Sequence, residues 1–163
     1  MTKLTAAVLT AAAFAAAPSL LHAQAKPKEP VSLGVELDYG NDSEFGIGGR
    51  LRHGLQGLFP NAPLSGIATV NLFFPGNGVT WVEGNYNVVY NFHIASSPKV
   101  VPYAGAGLNF VYVDVDNVGS DTQFGLNMVG GTEFRGGKVT PFIEIRGVID
   151  GGDQLVLTGG IRF

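Results

Sequence analysis

The sequence predicts an all-β chain, an eight-stranded antiparallel up-and-down transmembrane β-barrel behind a short N-terminal signal peptide. Three observations predict it. The chain ends on an alternating strand, Gln154 to Phe163 (QLVLTGGIRF), with Leu155, Leu157, Gly159, Ile161 and Phe163 on one side. Turn-forming residues cut the chain beyond residue 25 into eight segments that alternate in the same way. Arginine is confined to the polar sides of these segments, whereas lysine is confined to the N-terminal part and to turns.

Residues 1–25 read as the cleaved signal peptide. Lys3 gives a basic start, Leu4 to Ala17 is apolar, Pro18 breaks the run, and Ala23-Gln24-Ala25 is a small-x-small cleavage site. A membrane anchor is the competing reading, but the stretch is short and rich in alanine, and an anchor has no use for the cleavage site. Residues 26–163 then form one domain. Gly contributes 24 residues, charged residues are 14% of the chain and cysteine is absent, so neither disulfides nor thiolate metal sites are available. No later segment is a continuous apolar run long enough for a transmembrane helix. A formal charge of −3 gives no argument for a nucleic-acid partner.

The segments follow in order. The first, Val31 to Tyr39, ends at Gly40-Asn41-Asp42-Ser43, and the second, Glu44 to Leu55, enters a longer link with Pro60, Asn61 and Pro63. The third, Leu64 to Phe74, stops at Pro75-Gly76-Asn77-Gly78, and the fourth, Val79 to Ile94, at Ser96-Ser97-Pro98. The fifth, Val100 to Val113, leads into an acidic loop, Asp114 to Asp121, followed by the sixth, Thr122 to Phe134. The seventh, Lys138 to Ile149, turns at Asp150-Gly151-Gly152-Asp153 into the last strand. Gly, Pro, Asn and Asp supply the backbone conformations that such turns need.

The two faces differ in kind. One collects Leu33, Val35, Leu37, Ile47, Val70, Leu108, Leu126, Ile143 and Ile145, with aromatic rings towards both ends. Tyr39, Phe45, Phe74, Phe110, Tyr112 and Phe124 are expected in one girdle and Tyr90, Phe92, Phe134 and Phe163 in the other. The opposite face holds Glu36, Asp38, Glu83, Glu133 and Glu144, all the arginines (Arg50, Arg52, Arg135, Arg146 and Arg162) and several asparagines. Turned to lipid, a charge would cost about 2–4 kcal/mol, so these groups are expected to line the interior. A closed interior favours Arg over Lys, because its planar fork pairs with carboxylates away from bulk water. Eight strands leave room for side chains and not for an open channel. Direct pairs are expected among Glu36, Asp38, Arg50, Glu144 and Arg146, with Glu83 near them. Arg52, Glu133, Arg135, Arg162 and His93 are expected to form a second cluster near the ends of the chain. A soluble lipocalin-like barrel with its apolar face inward leaves the lysine-free strands unexplained.

With the signal peptide, these strands, Tyr103 to Asn109 (YAGAGLN), Gly130 to Phe134 (GGTEF) and the final GGIRF, the chain resembles the small OmpA/OmpX-type bacterial outer-membrane β-barrels. The resemblance implies an integral outer-membrane location with both termini periplasmic. It implies outer-membrane lipids and lipopolysaccharide as surroundings, and the assembly machinery as the reader of the terminal Phe163. The family's long surface loops are missing, so adhesion and invasion roles do not carry over.

Signs of catalysis are few. His93, placed on the lumen side of the fourth segment, is near Ser96 and Ser97, and a His–Ser pair serves acyl transfer when a carboxylate orients the imidazole. Outer-membrane lipid A deacylases are similar in size and strand number, but their His-x-Ser signature is missing here. A lipid-cleaving site would also face acyl chains. His53 is expected to be an interfacial polar residue. The acidic loop partly matches a calcium loop, with Asp114, Asp116 and Gly119 in place, but Val118 and Gly125 stand where ligands belong. Gly46-Ile-Gly48-Gly49 and Gly105-Ala-Gly107 lie inside strands and are not dinucleotide fingerprints. The expectation is a structural or envelope-interaction protein with a salt-bridged, plugged lumen, no cofactor and no enzymatic activity. A lipid-modifying enzyme and a narrow channel are the alternatives.

Overall fold

The computed structural model describes residues 29–150 and 153–163. The expected signal peptide and its cleavage site lie outside them. Among the described residues the chain forms eight strands: β1 (Ser32–Gly40), β2 (Glu44–Gly54), β3 (Leu64–Phe73), β4 (Val79–Asn91), β5 (Val100–Val115), β6 (Gly119–Phe134), β7 (Thr140–Ile149) and β8 (Gln154–Arg162). Each pairs antiparallel with its neighbour in sequence. The sheet closes where β1 meets β8, from Gly34 opposite Arg162 to Gly40 opposite Val156. Closure leaves no open edge within the band that all eight strands share.

Polarity is inverted relative to a water-soluble barrel. Along β8, Gln154, Val156, Thr158 and Arg162 are buried while Leu155, Leu157, Ile161 and Phe163 face out. The same alternation runs along β1, with Glu36 and Asp38 inside and Val35, Leu37 and Tyr39 outside. All ten belt aromatics lie on the outer face, where Phe110 meets Phe124 edge-on at 5.2 Å and Tyr90 meets Phe92 at 5.1 Å. An apolar wall around a charged interior is stable only where hydrocarbon is the solvent. The chain is a transmembrane β-barrel.

The two rims are built differently. At the rim away from the termini the turns are tight, and each holds a residue in the left-handed region: Glu44, Asn77, Asn117 and Asp150. Three of the four are Asn or Asp, which tolerate that conformation best. The segment expected as an acidic loop proves to be mostly ladder. Val113, Asp114 and Val115 pair with Asp121, Ser120 and Gly119, so only Asp116-Asn117-Val118 turns. β6 pairs with β7 only from Leu126 to Glu133, and the tip of the β5–β6 hairpin therefore rises beyond β7. A twelve-residue wrap of the calcium-loop kind does not form here, because the ladder places Asp114 and Asp121 on two paired strands. At the terminal rim the links are longer and held by their own hydrogen bonds, as in Phe59 N–H to Leu55 O (2.9 Å) and Ala62 N–H to Phe59 O (3.1 Å).

Inward glycines make room for inward aromatics. Gly46, Gly131 and Gly160 pair across strands with Phe73, Tyr103 and Phe142. A Cβ on any of the three would come within 2.6 Å of the partner ring. The rings thus lie flat over glycine and fill a bore too narrow for stacked large residues.

Candidate functional site

The interior carries the chemistry-bearing residues, in two clusters. In the middle of the barrel Arg50 (β2) sits between Glu36 (β1) and Glu144 (β7), with Nε 3.0 Å from one carboxylate and Nη2 2.5 Å from the other. Its guanidinium also lies 4.2 Å from the centre of the Phe142 ring. Arg146 (β7) reaches across the bore to Glu83 (β4) at 2.9 Å. Glu83 also accepts from Trp81 Nε1 at 3.0 Å and from Gln154, which in turn accepts from Ser43 Oγ at 2.8 Å. Asp38 takes neutral donors, Asn71 Nδ2 at 2.7 Å and Thr158 Oγ1 at 2.6 Å. Every charged residue in this group is buried.

Beside these ion pairs, β3 to β6 contribute amides. Asn109 Nδ2 donates to Asn85 Oδ1 at 2.7 Å, and Asn127 Nδ2 donates to Asn85 and Asn87 at 2.9 and 3.1 Å. Asn71 ties this ladder to Glu36 at 2.7 Å. Linked amides satisfy buried polar groups without adding charge.

The second cluster closes the terminal rim. Arg52 (β2), Arg135 just past β6 and Arg162 (β8) surround Glu133 (β6), with closest separations of 3.2, 2.7 and 3.0 Å. A second acid, Glu29, reaches in from the segment before β1, 3.1 Å from Arg52 and 3.2 Å from Arg135. Burial pushes the Glu29 carboxyl up, but the charges of Arg52 and Arg135 and a hydrogen bond from Ser65 hold it below the usual glutamate value. Tyr103 links the clusters: its hydroxyl donates to Glu144 at 2.7 Å, and the Arg52 guanidinium lies 5.4 Å from its ring centre. Tyr103 also packs with Ile67, Val89 and Val129 in a buried apolar layer.

No protein-family model matches this sequence, and no curated protein matches it. Solved structures do match. The N-terminal β-barrel domain of Pseudomonas aeruginosa OprF aligns with 84% of this chain and 100% of its own length, at 14% identity and a TM-score of 0.61. Neisserial surface protein A aligns with 81% of this chain and 94% of its own, at 20% identity and a TM-score of 0.57. A de novo designed transmembrane β-barrel covers 86% of this chain and 98% of its own, at 16% identity and a TM-score of 0.56. The fold is that of the OmpA/OmpX-type eight-stranded outer-membrane β-barrels. At these identities the likeness is one of fold.

Within this barrel type the ten expected lumen residues take distinct places. Glu36, Asp38, Arg50, Arg52, Glu83, Glu133, Glu144, Arg146 and Arg162 are buried inside, and Arg135 is half-exposed at the rim. Phe163 lies on the outer face, joined to Leu33 by backbone hydrogen bonds of 2.8 and 3.2 Å. His93, expected in the second cluster, lies past the end of β4. β4 ends at Asn91, the Ser97 N–H to Ile94 O bond (3.0 Å) sets the following turn, and His93, Ser96 and Ser97 are exposed in that link. The second cluster also holds Glu29, a residue that no strand pattern marks. Tyr103 is buried on the inner face, where alternation from Asn109 puts it. His53 meets the Tyr86 hydroxyl at 3.2 Å on the outer side of the wall, where each gives the other a polar partner.

No cluster of three or more His, Asp or Glu placed to hold a metal occurs among the described residues. A shallow groove of about 630 Å³ lies on the lipid face over Gly49 and Gly159, between Val35, Leu37 and Val70. Its exposed lining is mostly aliphatic, with Glu36 and Asn71 also among the residues around it.

Proposed function

We propose that the protein is a small integral protein of the bacterial outer membrane, exported through a cleaved signal peptide, with both termini in the periplasm. Its role is structural or interactive at the envelope, with no chemistry of its own. The observation that carries this reading is the inverted wall: an aliphatic and aromatic exterior around an interior in which each arginine meets a carboxylate. Outer-membrane lipids and lipopolysaccharide surround the apolar band, and the assembly machinery reads the strand that ends at Phe163. The tight far-rim turns support an envelope role over one that needs long binding loops. Acidic turn tips such as Asp116 face the anionic outer leaflet across bridging divalent cations. The plugged lumen supports this role over that of a channel.

Cell fractionation combined with gel mobility before and after heating tests location and barrel closure together. Recovery in the outer membrane as a heat-modifiable species is expected. Extraction without detergent overturns the reading, steady conductance steps in a planar bilayer replace it with a channel, and hydrolysis of lipid A by the pure protein replaces it with an enzyme. For topology, Asn117→Cys is expected to react with an impermeant reagent on intact cells. Reaction only after lysis reverses the orientation.

A further inference from the structure

We propose that the terminal mouth of the barrel is a binding site for small organic carboxylates, and that Glu29 is its built-in occupant. Three guanidinium groups converge there on two acids that differ in how they are held. Glu133 belongs to β6, is buried, and forms a fixed part of the wall. Glu29 precedes the first strand, whose ladder begins at Ser32, so its carboxylate can leave without breaking a sheet hydrogen bond.

The contacts of Glu29 are those of a bound ligand. One oxygen, Oε1, lies 3.1 Å from Arg52, 3.2 Å from Arg135 and 3.9 Å from Arg162, and the other accepts from Ser65 Oγ at 2.5 Å. Arginine forks suit carboxylates in geometry as well as charge. Among the described residues the mouth holds three arginines against two acids even with Glu29 in place, and with Glu29 out Glu133 is the one acid that remains among them. Arg162 Nε is buried with no hydrogen-bond acceptor among the described residues, so donor capacity is left over. Access comes through Arg135, whose side chain is 36% exposed.

A tethered carboxylate competes at an effective concentration in the millimolar range. Removing its charge should therefore strengthen binding of a free carboxylate. The placement of this mouth in the periplasm rests on the topology proposed above, but the binding test does not.

The test titrates glutarate into the purified protein in detergent at constant ionic strength, with chloride as the control anion. Glu29→Gln should bind glutarate at least tenfold more tightly than the unaltered protein, and adding Arg135→Gln should abolish the gain. Equal affinity in both proteins, or no binding in either, overturns the proposal and leaves Glu29 a fixed plug. Should Glu29→Gln fail to close into a heat-modifiable barrel, glutarate present during refolding should restore closure where chloride does not. Failure of that rescue is equally decisive. Barrel closure of the unaltered protein is scored separately, so this proposal and the membrane assignment stand or fall apart.

Discussion

The middle of the lumen and its terminal mouth are made of the same residue types in opposite proportion. The middle sets Arg50 and Arg146 among Glu36, Asp38, Glu83 and Glu144, all buried, with Asn and Thr donors covering what the arginines do not reach. The mouth sets Arg52, Arg135 and Arg162 around Glu29 and Glu133, and two of these five touch water. Deep inside, a charge that loses its partner has nowhere to go, so redundancy of partners is the design rule. At the mouth, water can replace a lost partner, and a surplus of one sign is tolerable. The same ion-pair chemistry acts as a plug in one place and as a receptor surface in the other.

The largest effect should come from Arg50→Leu, which leaves Glu36 and Glu144 facing each other without their shared cation. A loss of about 3–5 kcal/mol is expected from denaturant unfolding in lipid. Glu144→Gln should cost less, about 1–3 kcal/mol, because Arg50 keeps Glu36. Combining the two changes should cost less than their sum, since the residues share one network. Additive losses would mean that the middle is wet and screened, and the contrast with the mouth would vanish.

Smaller effects belong to the mouth. The Glu29 carboxyl titrates lower in the folded chain than its ordinary value of 4.5. Its contribution is therefore fully present above about that pH and is lost as pH falls through the lowered folded value. The gap in melting temperature between the unaltered protein and Glu29→Gln should be constant near neutrality and close on acidification. A gap that widens in acid would reverse the sign of the coupling. Smallest of all should be Arg135→Gln, at about 0–1 kcal/mol, because this partly exposed arginine leaves Glu133 with Arg52 and Arg162.

The architecture was legible because it rests on local signals. Period-two alternation marked all eight strands to within a few residues, and Asn77, Asn117 and Asp150 marked turns that need a left-handed residue. The β5–β6 hairpin differs from its expected outline because Asp and Gly at 114–121 look like a loop, yet Asn117 and Gly119, both at positive φ, suffice to reverse the chain. Interior partners were hidden for a different reason. Arg146 meets Glu83 across the bore, and no property of one strand says which residue stands opposite once the sheet has closed with a given shear. Glu29 lies before any periodic segment, so only the folded mouth reveals that it belongs to the site.

The central claim is that this wall faces hydrocarbon outside and charge inside. Nitroxide labels placed singly along β8 in lipid vesicles test it most directly. Labels at Leu155, Leu157 and Ile161 should relax strongly with oxygen, which concentrates in lipid, and weakly with a water-soluble nickel chelate. Labels at Val156 and Thr158 should respond little to either. Strong relaxation by the nickel chelate at Leu157, on a folded barrel, would place that face in water and contradict the account.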